Sequence, residues 1–103
     1  MSFLVTVTFD LRNAHPSKYR KVHGDLAKID LSKFVSGKKH IDKKLPANTF
    51  VAEFAEEFED DSSKETVAYI KKNILKIFEK RKVKGRYFVA VGRKWAWHVG
   101  RAG

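Results

Sequence analysis

The chain has 103 residues, a formal net charge of +10 and no cysteine, with hydrophobic residues at 43% and aromatic residues at 13%. This length suits one domain over residues 1–103, since single cores split only above about 250 residues. The apolar content is that of a folded protein rather than of a disordered tail. The lack of cysteine excludes disulfide frameworks, thiolate zinc sites and cysteine nucleophiles.

The apolar segments are too short to cross a membrane. No apolar run approaches the roughly 18 residues that a spanning helix needs. The N-terminal segment from Phe3 to Phe9 is interrupted by threonines and follows no basic leader. We therefore expect a cytoplasmic protein with no membrane partner.

Charge is unevenly distributed along the chain. Seven of the twelve acidic residues lie between positions 53 and 65, where Lys64 is the only base, so this segment carries −6 and the remainder +16. The basic residues recur in clusters at 18–21, 38–44, 71–86 and 93–101. Such a surface attracts polyanions and favours phosphate contacts without selecting bases. Nucleic acid is the predicted partner, and a solvated lysine-rich surface is the alternative.

The first two elements are predicted from the spacing of apolar residues. From Phe3 to Phe9 apolar side chains alternate with mixed ones, which predicts a strand that ends at Asp10. An amphipathic helix is then predicted to open near Pro16, because apolar residues recur at helical spacing at Tyr19, Val22, Leu26 and Ile29.

The later elements follow from the same reasoning. A short strand is predicted at Leu31–Val35, an exposed loop at Gly37–Lys44 and another strand at Asn48–Phe58. A long helix carries the apolar stripe Val67, Ile70, Ile74, Ile77 and Phe78 and is predicted to stop at Gly85. The last predicted strands are Arg86–Val91 and a short fifth strand at Trp95–Val99.

This order, βαββαβ with a short fifth strand at the C-terminus, predicts an α+β fold. The right-handed crossover rule places both helices on one face of an antiparallel sheet, which is the ferredoxin-like arrangement. The opposite face would be open and mixed in character, and such a face is commonly closed by a second subunit or by a ligand. Its predicted members are Thr6, Thr8, Asp10, Val51 and Glu53.

Asp10 is the candidate catalytic and metal-binding residue. It follows the first predicted strand and offers the oxygen ligand that Mg²⁺ prefers. One carboxylate is too few for a magnesium site, so Asp10 would need its own copy across a two-fold axis, or Glu53, to build a nuclease-type centre. The alternative is a turn residue whose carboxylate bonds the backbone amides of Leu11–Asn13.

Candidate nucleic-acid-binding residues come from the basic clusters and from the aromatic residues between them. Trp95 and Trp97 share a face at strand spacing and would either stack on bases or pack in the core or a subunit interface. His15, in the loop after Asp10, is a weaker candidate for acid-base chemistry. The predicted phosphate contacts are Arg12, Lys38, Lys39, Lys43, Lys44, Arg86, Arg93, Lys94 and Arg101.

The run Lys84–Val91 is partly similar to the RNP1 pattern of RNA-recognition motifs. Arg86 stands where that pattern has its first stacking aromatic, and Tyr87 stands where it has a small residue. The run also follows the second predicted helix, whereas RNP1 belongs to a strand before it. We therefore do not expect an RNA-recognition motif.

Three segments resemble the small SinR-like and VapD-like proteins, which are relatives of the CRISPR-associated adaptation nuclease subunit and of GhoS-type antitoxins. They are Phe3–Leu11, Leu45–Val51, and Tyr87–Val91 with Trp95-Ala96-Trp97. The resemblance implies a ferredoxin-like domain that dimerises through its sheet. It also implies that an aspartate at the end of the first strand, here Asp10, is the metal-linked catalytic residue where activity exists.

Two hypotheses follow from the charge pattern and the resemblance. The first is a homodimeric nucleic-acid-binding protein, with RNA preferred over DNA and Mg²⁺-dependent endoribonuclease activity centred on paired Asp10 residues. The alternative is a non-catalytic, antitoxin-like or structural module whose acidic segment at residues 53–61 binds a basic protein partner. In this family the aspartate often follows tyrosine, where this chain has Phe9, and Arg12 would be a phosphate contact.

Overall fold

The computed structural model describes residues 2–36, 42–55, 63–93 and 96–102. The chain forms two helices and an antiparallel sheet, and the predicted α+β class is confirmed. The elements are β1 (Ser2–Leu11), α1 (Pro16–Ala27), β2 (Phe34–Ser36), β3 (Asp42–Lys44), β4 (Thr49–Ala55), α2 (Ser63–Arg81) and β5 (Gly85–Gly92).

Strand β1 is the centre of a three-stranded antiparallel sheet with the order β4-β1-β5. Thr6 of β1 lies opposite Val51 of β4 on one side and Ala90 of β5 on the other. The alternation that predicted β1 is the reason for its central position. Its odd-numbered apolar side chains all point to one face, where they can be buried between neighbours on both edges.

Both helices pack on that same face. The odd-numbered residues of β1 belong to one apolar cluster with residues from α1 and α2, so the two helices lie on one side of the sheet, as predicted. The buried members of this cluster are Val5, Val7, Phe9, Leu11, Val22, Leu26, Leu31, Phe50, Ala52, Ile70, Ile74, Ile77 and Phe78.

A buried ion pair joins the two helices. Asp25 of α1 is 6% exposed and accepts hydrogen bonds from Nε and Nη2 of Arg81 at 2.6 and 2.8 Å. The hydrogen bond with Arg81 lowers the pKa of the Asp25 carboxyl below its usual value, against the opposing effect of burial. The pair fixes the end of α2 beside α1 because two parallel hydrogen bonds restrict orientation as well as distance.

Helix α2 ends at Arg81, and Lys82 rather than Gly85 provides the stop. Lys82 has a φ of 55°, and its amide donates to the Glu79 carbonyl at 3.1 Å, while the Val83 amide donates to the Phe78 carbonyl at 3.0 Å. These two bonds form a Schellman motif with a left-handed residue after the helix. The predicted stop at Gly85 is wrong, because Gly85 is already the first residue of β5.

The segment after α1 joins the sheet through one bridge instead of a full strand. Ser32 and Val51 exchange hydrogen bonds of 2.7 and 2.9 Å at the outer edge of β4. The chain then forms a separate two-stranded hairpin of β2 and β3. Leu31 is buried but Phe34 is 49% exposed, so the segment has little apolar surface to hold a longer strand against the sheet. The predicted strand Leu31–Val35 is therefore displaced towards Phe34–Ser36.

Two other sequence predictions need correction. The C-terminal part of the predicted loop Gly37–Lys44 is strand β3, whereas residues 37–41 lie outside the described residues. The described part of the predicted fifth strand, residues 96–99, forms no strand. Trp97 and Val99 are half-buried between exposed neighbours, so their burial alternates although residues 96–99 pair with no strand in the described part of the chain. Within the described ranges, no helix is long and apolar enough to cross a membrane.

Candidate nucleic-acid interface

Asp10 and Arg86 lie opposite each other at one end of the sheet. The Asp10 Oδ2 atom is 3.6 Å from Nη2 of Arg86, and the two side chains are 75% and 91% exposed. Even-numbered residues of β1 point away from the helices, so both groups belong to the uncovered side of the sheet. An ion pair this exposed contributes little to stability. Both groups therefore remain accessible to a ligand.

The alternatives for Asp10 within one chain do not fit the structure. Glu53 lies opposite Leu4, which is about 20 Å from Asp10 along β1 at the usual rise per residue. The turn interpretation is also weakened, because the Leu11 amide donates to the Tyr19 hydroxyl and the Arg12 amide donates to the Lys84 carbonyl.

A magnesium site at Asp10 would need further oxygen or nitrogen ligands close by. Across the described ranges, no group of three or more histidine, aspartate or glutamate residues is placed to hold a metal ion. The nearest charged neighbour of Asp10 is the cation of Arg86. The donor set of a single chain therefore does not fit Mg²⁺ at Asp10.

The end of β1 is held firmly against its neighbours. The Tyr19 hydroxyl contacts both the amide and the carbonyl of Leu11 at 3.2 Å, which ties the strand to α1. The Arg12 amide donates to the Lys84 carbonyl at 2.7 Å, which ties the loop after β1 to the loop before β5. These bonds give Arg12 a defined position two residues beyond Asp10.

Basic side chains converge beside Arg12. A hollow of about 430 Å³ lies between the β1–α1 loop and the α2–β5 loop, and its lining includes Arg12, Lys18, Lys82 and Lys84. A second hollow of about 360 Å³ is lined by Asp10, Arg12 and Arg86. Arg12 lines both, so the two hollows form one continuous surface, which we call the basic edge.

Sequence reasoning found only part of the basic edge. Arg12 and Arg86 were predicted, and the structure brings them together around Asp10. Lys18, Lys82 and Lys84 were not singled out, because Lys18 lies in α1 and the other two lie in the distant loop between α2 and β5. Their presence within the basic clusters at 18–21 and 71–86 was the available signal.

His15 has a structural role in this loop. Its Nδ1 atom accepts a hydrogen bond from the Ser17 amide at 3.1 Å and lies 3.0 Å from the Ser17 hydroxyl oxygen. It therefore caps the N-terminus of α1 in place of the usual serine or aspartate. This cap explains the position of His15 without any acid-base role, which stays a prediction.

The remaining predicted contacts are not part of the basic edge. The Arg93 guanidinium lies 4.9 Å from the centre of the Phe3 ring, about 23 Å along β5 from Arg86. Lys43 and Lys44 belong to the β2–β3 hairpin, and Arg101 is exposed in the C-terminal segment. The predicted contacts Lys38, Lys39 and Lys94, and also Trp95, lie outside the described residues.

The face of the sheet away from the helices is mixed, as predicted, and carries one large apolar side chain that the sequence reasoning did not select. Phe88 of β5 is 59% exposed and lies opposite Thr8. It lines a shallow hollow of about 140 Å³ together with Asp10 and Arg86. Phe88 stands in the uninterrupted apolar and aromatic run Tyr87–Val91, so the sequence held no signal for the side of the strand on which it lies.

His23 on α1 is partly buried among aromatic side chains. Its Nε2 atom is 2.9 Å from Oδ1 of Asn48, and its ring packs edge-on against Phe50 at 5.0 Å between centres. Burial lowers the pKa of His23, and the hydrogen bond with Asn48 opposes this effect only in part. A neutral imidazole in an aromatic setting indicates a packing role for His23.

Comparisons with known proteins give no relative from which a function could be transferred. A scan against protein-family models finds no match. A search of curated proteins also finds no similar sequence. The proposals below therefore rest on the chain's own residues and on the resemblance described above.

Proposed function

We propose that the protein binds nucleic acid, with RNA preferred, along the basic edge. The observation that carries this proposal is the convergence of Arg12, Lys18, Lys82, Lys84 and Arg86 at one end of the sheet. Cations gathered on one rigid edge contact several phosphates at once and release the counterions bound to them. The contacts are to the backbone, so they position a strand without reading its sequence.

The distribution of the acidic residues also supports binding along the basic edge. Asp25 contacts Arg81 and lies within 4.0 Å of Lys28 and Lys80, so its single negative charge offsets part of theirs. The lining of the larger hollow contains no aspartate or glutamate among the described residues. The cations that line this hollow have no described carboxylate within 4.0 Å and are therefore available to phosphate.

We propose that the fold is a ferredoxin-like domain that resembles the SinR-like and VapD-like proteins. Support comes from the Ser32–Val51 bridge, which lies on the outer edge of β4. Counting this bridged segment as a short strand gives the spatial order Ser32 segment, β4, β1, β5. The position of both helices on one face supports the same interpretation, although the chain has three strands rather than two between the helices.

A homodimer follows as part of the proposal. The uncovered face of the sheet exposes Phe88 beside Thr6, Thr8 and Ala90, and a second copy would bury this surface. It would also supply the second carboxylate that Asp10 lacks within one chain. Mg²⁺ between two Asp10 residues would make the dimer a metal-dependent endoribonuclease.

The second candidate function is non-catalytic. The proximity of Arg86 to Asp10, with no second carboxylate among the described neighbours, favours a module that binds without cleaving. Its acidic segment at 53–61 would meet a basic protein partner, although residues 56–61 lie outside the described ranges.

Incubation of the protein with end-labelled RNA and Mg²⁺ separates the two candidates. Cleavage by the wild type that is abolished in Asp10→Ala supports the endoribonuclease, with Glu79→Ala on α2 as the control for removing an exposed acid. Cleavage that persists in Asp10→Ala contradicts the role of Asp10. Binding without cleavage under any divalent metal supports the non-catalytic module.

A further inference from the structure

The larger hollow of the basic edge has the features of a formed anion site. Its two walls are joined by the hydrogen bond from the Arg12 amide to the Lys84 carbonyl, at 2.7 Å. Lys18 Nζ donates to the Arg81 carbonyl at 3.0 Å, which adds a second link between α1 and the end of α2. The hollow of about 430 Å³ lies within the size range of small-ligand pockets. Its shape is therefore set before any ligand arrives.

The charge of this hollow is uncompensated within the described part of the chain. No described carboxylate lies within 4.0 Å of Arg12, Lys18, Lys82 or Lys84, whereas Asp25 has three cations within that distance. Four like charges around one cavity repel each other, and an anion between them removes this cost. The lining thus favours a compact anion with several acceptor oxygens.

The position of the hollow indicates that this anion belongs to a bound nucleic-acid strand. Arg12 is shared with the neighbouring hollow that contains Asp10 and Arg86. A strand that passes Asp10 would therefore place an adjacent phosphate among the four cations. Arg12 can contact phosphate with two parallel donors, and the three lysines act as point charges.

We propose that this hollow is a phosphate-binding pocket that holds one phosphate group of a bound polynucleotide and thereby fixes the register of the strand past Asp10. The proposal rests on the nucleic-acid-binding function proposed above. The phosphate is either an internal phosphodiester or a terminal phosphate. The two sources share the same chemistry, and experiment separates them.

The first test uses inorganic pyrophosphate and the full-length protein in two-dimensional amide NMR. Binding in the pocket shifts the amide signals of residues 12–18 and 82–84 and leaves those of residues 70–75 unchanged. This arm does not depend on nucleic acid. Shifts spread over all exposed lysines, or no shifts, overturn the pocket even if the protein binds RNA.

The second test uses fluorescence anisotropy with a labelled single-stranded RNA. The double variant Lys82→Gln, Lys84→Gln should weaken binding roughly tenfold and lower the salt slope by about 0.7 for each phosphate that the variant no longer neutralises. Lys71→Gln, Lys72→Gln removes the same charge from an exposed part of α2, at least about 15 Å from the pocket, and should change affinity less than about twofold. Equal decreases in affinity for the two double variants overturn the proposal.

The same measurement with 5′-phosphorylated and 5′-hydroxyl RNA identifies the source of the phosphate. Tighter binding of the phosphorylated strand by the wild type, abolished in Lys82→Gln, Lys84→Gln, supports a terminal phosphate. Equal binding of both strands, weakened in that variant, supports an internal phosphodiester. If the wild type binds no RNA, the nucleic-acid function and the polynucleotide source both fail, and the pyrophosphate experiment alone decides whether the pocket binds phosphate.

Discussion

At the scale of single residues, Asp25 is the most constrained charge that the structure describes. It is 6% exposed, and Arg81 supplies two short hydrogen bonds to its carboxylate. A buried pair of this kind is weak evidence for net stabilisation, but breaking it by removing one partner is costly. The pair therefore makes α1 and α2 depend on each other.

We expect Arg81→Ala to lower the free energy of unfolding by about 3 kcal/mol at pH 7, because the Asp25 carboxylate would remain buried without its main partner. Lys80 is 61% exposed and 4.0 Å from Asp25, so Lys80→Ala should cost less than about 1 kcal/mol. Urea unfolding measures both values. Similar decreases in the two variants would contradict the role of the buried pair.

The free energy of unfolding at acid pH should depend on the same ion pair. The folded pKa of Asp25 lies below its usual value of 3.8, so its contribution is complete above that pH and disappears as the pH falls through the folded pKa. We expect a decrease in stability below pH 3.8 that is smaller in Arg81→Ala. Urea unfolding at a series of pH values measures this decrease. An identical pH dependence in the wild type and in Arg81→Ala would contradict the coupling of Asp25 to Arg81.

His23 should produce a separate pH dependence. Burial lowers its folded pKa below 6.5, so between these values the unfolded chain binds a proton that the folded chain does not. The free energy of unfolding should therefore fall as the pH drops below 6.5 and level off below the folded pKa.

His23→Gln should remove this fall while keeping an amide donor for Asn48, and the exposed His98→Gln should retain it. Urea unfolding at closely spaced pH values provides the comparison. A fall of unchanged size in His23→Gln would show that another group is responsible.

At the scale of elements, β1 depends on close contact with β5 at the end where Asp10 lies. Gly85 lies opposite Leu11, and a Cβ atom added there would overlap the Asp10 carbonyl. The strands can approach this closely only because residue 85 has no side chain. The position of Asp10 thus depends on a glycine in the neighbouring strand.

Gly85→Ala should therefore destabilise the fold by about 1–3 kcal/mol and displace the end of β1, since backbone rather than a flexible side chain must shift. Gly24 on α1 has open space around the added atom, so Gly24→Ala should stabilise by about 0.5–1 kcal/mol through helix propensity. Thermal unfolding tests both. A neutral Gly85→Ala would mean that the strands can separate without cost.

The regular elements were predictable because their apolar spacing reflects burial directly. The apolar residues of Phe3–Phe9 recur at strand spacing, and those of the α2 stripe recur at helical spacing. Each spacing fits only one type of element. The Schellman stop at Lys82 was not predictable, since a lysine with a φ of 55° carries no sequence signal. Strand β3 was missed because its residues, Asp42–Lys44, are all polar, so no apolar pattern marks it.

At the scale of the whole molecule, the net charge of +10 is divided between compensated and uncompensated groups. Asp25 offsets part of the charge of the three cations near it, whereas the basic edge has Asp10 as the one acid in its described lining. The sequence indicated a polarised surface but could not locate it. Arg12 and Lys84 come together only when β1 pairs with β5, and Lys18 joins them only when α1 packs beside the end of α2. The basic character of the candidate site was thus predictable from the sequence, whereas its position in the fold was predictable only in part.

Assembly offers a further test at this scale. If a second copy covers the open face of the sheet, light scattering of the wild type gives twice the 11.9 kDa mass of one chain. Phe88→Asp should give a monomer, because it places a charge in the buried surface. Leu75→Asp, at a 47% exposed position on α2, should leave the mass unchanged. A monomeric wild type at micromolar concentration would contradict the dimer.

The measurement that tests the central claim most directly is the affinity for single-stranded RNA as a function of salt. With four or more phosphates contacted by the basic edge, the logarithm of the association constant should fall linearly with the logarithm of salt concentration, with a slope of about −3 or steeper. A DNA strand of the same sequence should bind more weakly. A flat salt response, or no binding at low salt, would contradict the account.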